Sequence, residues 1–234
     1  MSRPVARTLS YKEAARALQR LADPQRARFF RQLFEDPRGN VFLGVASAGI
    51  RRTARAYQDL DLHDVRRLMA SGVRDERALA NAVLVAKYGR GKEAERKELF
   101  AFYVRQRRLI RNWDGVDDSA PYIVGRHLLE RSRALLFRWA RSTRMLDRRT
   151  AIVSTWWFIR HGDTADTFRL AKVLSADPER LIQRAVGWML REAGKRDPRA
   201  LRRFLTQHRR QMPRLMLRSA TERLPEAERR RYLR

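Results

Sequence analysis

Arg148-Arg149-Thr150-Ala151-Ile152 is echoed downstream by Ile182-Gln183-Arg184-Ala185 and again by Leu217-Arg218-Ser219-Ala220. Each run lies in a helical pattern and sets a small residue at the same place. Ala151 to Ala185 is 34 positions and Ala185 to Ala220 is 35, the length of a helix–turn–helix repeat. Upstream, Arg77-Ala78-Leu79-Ala80 is a further member, but Ala120 lies 40 after Ala80 and 31 before Ala151, so the period is loose. An irregular helical bundle with alanines at its contacts is the competing reading.

Outward from these runs, nearly every segment carries apolar residues at helical spacing, as in Leu68, Leu79 and Val83, and strand-like alternation is almost absent. The stop signals are closely spaced: Asp36-Pro37, Gly39-Asn40, Ser71-Gly72, Gly89 to Gly91, Gly162-Asp163, Asp177-Pro178, Asp197-Pro198 and Met212-Pro213. They predict helices of roughly 10 to 18 residues in an all-α fold. With no linker or low-complexity tract, residues 1–234 read as a single repeat domain. In such an array, one set of helices would line a concave face, and basic residues there would form a groove able to follow a duplex.

The charge points to the partner. A formal net charge of +27 and a pI near 11.6 exceed what solubility requires and imply a polyanion, with nucleic acid the leading candidate. Charge alone does not separate DNA from RNA or an anionic membrane. Hydrophobic residues are 44% of the chain, enough for a buried core. The absence of cysteine excludes disulfides, a thiol nucleophile and Cys-based metal sites, and suits a reducing cytoplasm. The basic start, Met1 to Arg7, runs into the polar segment Tyr11-Lys12-Glu13-Ala14-Ala15-Arg16 and not into an apolar one, so neither secretion nor membrane insertion is expected.

Chemistry concentrates in Asn112-Trp113-Asp114-Gly115-Val116-Asp117-Asp118-Ser119-Ala120-Pro121, where an aromatic and three carboxylates crowd into an arginine-rich chain. On a helix, Trp113 and Asp117 would share a face, setting a carboxylate beside an apolar plate. A carboxylate facing DNA repels phosphates, so its presence there needs a chemical reason. The alternatives are that these aspartates cap helices or pair with arginines, and that Trp113 belongs to the core. Divalent metal binding by carboxylates at this spacing lacks a supporting ligand pattern. His63, His127, His161 and His208 are scattered and read as structural. Trp188 and Arg191 lie at i and i+3 and can share a face, and of the adjacent Trp156 and Trp157, pointing about 100° apart, at least one is expected in the core. The C-terminal arginines, from Arg202 to Arg231, read mainly as a solvated terminal repeat, with a few near phosphates.

The motif Asn112-Trp113-Asp114-x-Val116-Asp117-x-Ser119-Ala120-Pro121, with Ile182-Gln183-x-Ala185-x-Gly187-Trp188-x-Leu190-Arg191-Glu192, resembles the AlkD family of DNA alkylation repair glycosylases. Phe42-Leu43-Gly44-Val45, Asp64-Val65-x-x-Leu68-Met69 and Val83-Leu84-Val85-x-Lys87-Tyr88 are similar to it too, so the likeness spans about residues 40 to 205. The resemblance implies a HEAT-like helical repeat. It places the catalytic carboxylate at Asp117, the two groove tryptophans at Trp113 and Trp188, and a cleft arginine at Arg149, with Arg148 the alternative register.

The implied reaction is excision of cationic N3- or N7-alkylated purines from duplex DNA. Such a base is already a good leaving group, and a carboxylate would stabilise the oxocarbenium character that develops on the sugar. The tryptophan faces would press against the sugar and backbone, and Arg149 and Arg191, with Arg148, would hold phosphates. Neither metal nor cofactor is expected, and the enzyme would act as a monomer without enclosing the base in a pocket. The alternatives are a non-catalytic DNA-structure binder on the same fold, and a HEAT-like interaction scaffold or RNA binder.

Overall fold

The computed structural model describes residues 9–34 and 40–234. The basic start Met1 to Arg7, the turn at Asp36-Pro37 and Gly39 of the next stop signal lie outside the described residues. The described chain is α-helical, and its only β-pairing is an isolated bridge between Val41 and Val73. The all-α fold class is therefore as expected. The chain divides into two compact units, residues 1–110 and 111–234.

The first unit holds α1 (Tyr11–Gln19), α2 (Pro24–Leu33), α3 (Ser47–Ala56), α4 (Leu62–Ala70), α5 (Arg74–Arg90) and α6 (Glu93–Gln106). Ser10 caps α1 in a capping box with Glu13, and Asp23 caps α2 ahead of Pro24. The buried carboxylate of Asp75 at the start of α5 accepts the backbone N–H groups of Leu43 and Val45, each at 2.9 Å. These bonds fix the Phe42–Val45 turn, in which Gly44 adopts φ +76° and a Cβ would lie 2.2 Å from the Asp23 carbonyl, so only glycine fits. Leu68, Leu79, Val83 and Leu84 are fully buried in the core of this unit.

The second unit holds α7 (Trp113–Asp117), a π-helical turn (Pro121–Gly125) running into α8 (Arg126–Leu128), α9 (Ala134–Trp139), α10 (Met145–Arg160), α11 (Ala165–Val173), α12 (Arg180–Arg196), α13 (Pro198–His208), α14 (Arg214–Ala220) and α15 (Glu226–Leu233). The expected stops fall between helices: Gly162 turns α10 into α11 at φ +85°, Asp177-Pro178 precedes α12, Asp197 ends α12 and caps α13, and Met212-Pro213 precedes α14. Helices α10, α12 and α14 pack in succession, and the alanines that marked the repeat, Ala151, Ala185 and Ala220, are all buried. Small residues are needed there because neighbouring backbones approach closely. At Gly187, two residues beyond Ala185 in α12, a Cβ would lie 2.5 Å from Ser219 Cβ and 2.7 Å from the Met216 carbonyl of α14.

Trp156 and Trp157 depart from expectation: neither enters the core, and both are half-buried at the end of α10. The core positions there go to Phe158 and Ile159. The indoles pack on Tyr122, with ring centroids 5.6 and 6.0 Å away, and Arg160 and Arg126 lie over them.

Gly187→Ala is expected to force α12 and α14 apart and destabilise the protein by about 1–3 kcal/mol. A thermal melt should show a fall of several degrees, whereas Gly72→Ala, at a position with open space around it, should change it little.

Candidate active site

Trp113 and Asp117 are the first and last residues of α7. This one-turn helix has an extended residue before it, Asn112, and is followed by Ser119, whose hydroxyl donates to the Gly115 carbonyl at 2.5 Å. The chain then enters the π-helical turn, where Gly125 meets α10. A Cβ on Gly125 would stand 2.2 Å from the Ser154 carbonyl, so glycine lets this segment press against α10. That close approach sets α7 against the helix carrying Arg149.

Arg149 gathers the site. Its Nε donates to Asp117 Oδ1 at 2.8 Å and its Nη2 to Oδ2 at 2.7 Å, a two-pronged pair matched in geometry. Nη1 donates to the Leu181 carbonyl in the first turn of α12, at 2.5 Å. The guanidinium carbon is 5.5 Å from the centroid of the Trp113 ring. One side chain thus joins α7, α10 and α12, and Trp113 and Asp117 do share a face of α7. The Arg149 side chain is 6% exposed and that of Asp117 17%, so the carboxylate is nearly enclosed but keeps one open edge. Burial raises the Asp117 pKa above its ordinary value; the hydrogen bonds and charge of Arg149 oppose this without cancelling it, and the nearby Asp114 adds to it. The arrangement is a desolvated, oriented carboxylate beside an indole. Such a group gains most from a positive charge that appears at its open edge.

The other residues singled out in the sequence are placed differently. Trp188 is half-buried on α12, seven residues past Leu181 and so about 10 Å along the helix from the carbonyl that anchors Arg149. Arg148 turns away from Asp117. Its Nε and Nη2 donate to Asp177 at 2.7 and 3.3 Å, and its Nη1 donates to the carbonyls of Ser142 and Thr143. Of the two adjacent arginines, it is Arg149 that meets the α7 carboxylate. Arg191 pairs with Glu222 and lies 3.4 Å from Glu192, so a phosphate at either Arg148 or Arg191 would exchange with a carboxylate already there.

Sequence reasoning did not foresee the Leu181 carbonyl or Asp177. A backbone acceptor leaves no sequence signal, but Asp177 stands 29 residues from Arg148, close to the repeat length. Among the histidines, His127 is buried, His161 packs on Trp157, and His208 lies 4.6 Å from the Phe204 ring with its pKa lowered by burial and by Lys172. Among the described residues, no group of three or more His, Asp and Glu side chains is placed to hold a metal ion.

A family model described as DNA alkylation repair enzyme matches residues 14–224. The chain belongs to this family. A solved structure titled "Predicted DNA alkylation repair enzyme from Enterococcus faecalis" superposes with a TM-score of 0.68 over 88% of this chain and 97% of that one. At 15% identity, this likeness shows a shared fold. A search among curated proteins finds no match. Membership assigns this alkylation repair protein to work on DNA, and no helix of the described residues is long and apolar enough to cross a membrane.

Arg149→Met should leave Asp117 buried without its counter-charge and destabilise the protein by about 3 kcal/mol at neutral pH. The sign of its pH dependence follows from the raised Asp117 pKa. A raised group favours the folded state below its unfolded pKa and loses that contribution as pH rises through its folded one. Removing Arg149 raises the folded pKa further. Denaturant unfolding should therefore show the deficit of Arg149→Met relative to wild type shrinking as pH falls and Asp117 protonates.

Proposed function

We propose that this alkylation repair protein is a monofunctional DNA glycosylase that hydrolyses the N-glycosidic bond of cationic N3- or N7-alkylated purines in duplex DNA. The observation that carries this reading is the nearly buried Asp117 carboxylate, held by both prongs of Arg149 beside Trp113. An alkylated purine leaves as a neutral base, so no general acid is required. As the bond breaks, positive charge moves from the base to the sugar, and Asp117 stabilises that charge and orients the attacking water. Arg149 fixes the direction of the carboxylate and, by lowering its pKa against the effect of burial, helps keep it ionised.

Trp113 and Trp188 provide faces for the sugar and backbone of the lesion. Arg191, with Arg148, holds phosphates after exchanging its carboxylate partner, and the duplex follows a basic groove of the repeat array, which acts as a single domain over 1–234. The enzyme works as a monomer in the cytoplasm, without a cofactor, and does not enclose the base in a pocket, so bulky adducts are also accepted.

Purified protein incubated with methylated duplex DNA should release 7-methylguanine and 3-methyladenine, measured by mass spectrometry. Asp117→Asn should lower the rate by on the order of 10²-fold or more while leaving the circular dichroism spectrum unchanged. Equal release by both proteins would remove Asp117 from the reaction, and binding of DNA without release by either would favour a non-catalytic binder.

The acid limb of the rate profile provides a separate check. Asp117 must be ionised, and its pKa is raised, so activity should decline as pH falls through a value above that of an ordinary aspartate. In Arg149→Gln the guanidinium no longer opposes burial, and the limb should move to higher pH.

A further inference from the structure

The arginine-rich C-terminal segment has no part in the proposed chemistry. Residues 199–234 contain twelve arginines and three glutamates. All three glutamates are already matched: Glu222 with Arg191, Glu226 with Arg230, and Glu228 with Arg202 through bonds of 2.7 and 3.0 Å. Three of the remaining cations share one concavity. Between the end of α13 and α15 lies a cleft of about 730 Å³, lined by Thr206, Gln207, Arg209, Arg210, Arg231 and Tyr232.

Among the described residues, the one carboxylate in the cleft wall is Glu228. Arg202 occupies both of its oxygens and, chiefly through those bonds, holds its pKa below the ordinary glutamate range. Arg209 is oriented by a 2.7 Å bond from Nη1 to the Arg231 carbonyl, which ties the end of α13 to α15. Among the described residues, no carboxylate pairs with Arg209, Arg210 or Arg231. Arg209 and Arg210 therefore line this concavity with no carboxylate bonded to them, and Arg231 shares with Arg202 the single charge of Glu228, alongside the neutral donors of Thr206, Gln207 and Tyr232. Mutual repulsion is relieved by an anion with several acceptor oxygens, and guanidinium forks match the oxygens of a phosphate.

We propose that this cleft is a second phosphate-binding site, sharing no residue with the Asp117 site, and that it takes a backbone phosphate of duplex DNA. The assignment rests on the family's DNA substrate and is independent of the glycosylase reading, so undamaged duplex is the appropriate probe.

The test compares full-length R209A/R210A/R231A with R169A/R199A/R203A, which removes equal charge from exposed positions of α11 and α13 outside the cleft. Binding of a labelled undamaged duplex is followed by fluorescence anisotropy across a salt series, with thermal melts to establish that both variants fold. Every phosphate that a variant ceases to neutralise flattens the log–log salt dependence by about 0.9. The cleft variant should show a slope shallower by about 1 to 3 and bind about tenfold or more weakly near 0.1 M salt, with the control variant close to wild type. Equal losses of affinity in both variants would reduce the effect to net charge and overturn the site. Inorganic phosphate is titrated calorimetrically in parallel. Binding of phosphate that is abolished in the cleft variant alone, with its DNA affinity unchanged, would assign the cleft to a free phosphate compound and overturn the DNA assignment.

Discussion

A carboxylate withdrawn from water in a chain of net charge +27 must be held by something, and the second unit is organised around what holds Asp117. Arg149 binds both of its oxygens and spends a third donor on the Leu181 carbonyl, so the pair fastens α7 to α10 and both to the start of α12. Burial nevertheless keeps the Asp117 pKa raised, so the ion pair does not fully offset the desolvation it sits in. An interaction optimised for stability alone would bury apolar groups there. The retained charge is consistent with a site that gives up some stability to keep an oriented carboxylate.

The same device recurs at the spacing of the repeat. Arg133 reaches Asp163 and Asp166, Arg148 reaches Asp177, and Arg191 reaches Glu222, each linking side chains about thirty residues apart. Each helical hairpin is therefore attached to the next by apolar burial on one side and by an arginine–carboxylate link on another. Acidic residues are scarce here, and in the second unit Asp163, Asp166, Asp177 and Glu222 serve these links. The uncompensated arginines are left for solvent or for a polyanion.

Much of this was legible in the sequence because it follows from periodicity. The alanines at 151, 185 and 220 marked helix contacts since close backbones admit only small side chains, and proline and glycine marked the breaks since both end helices for local reasons. Trp113 and Asp117 could be put on one face from their spacing alone. The resemblance set Arg149 in the cleft but as a phosphate holder; its pairing with Asp117, which occupies Nε and Nη2, was not foreseen, because residues 32 apart meet by tertiary packing. Trp156 and Trp157 were misplaced for a related reason. Their angular separation was right, but the core-facing positions at this end of α10 fall to Phe158 and Ile159, and both indoles are left in directions that are only partly covered.

The π-helical turn at Pro121–Gly125 has a bearing on how this chain can change over evolutionary time. The Arg126 N–H bonds to the Pro121 carbonyl, five residues back instead of four, so the turn carries one residue more than an α-helix would need. Deleting any one residue there would restore regular helix and rotate everything before it by about 100° relative to α10, carrying Asp117 off Arg149 with no change in the identity of either. Insertions and deletions should thus be purged from this short segment as stringently as substitutions of the carboxylate itself, while loops elsewhere in the unit drift in length.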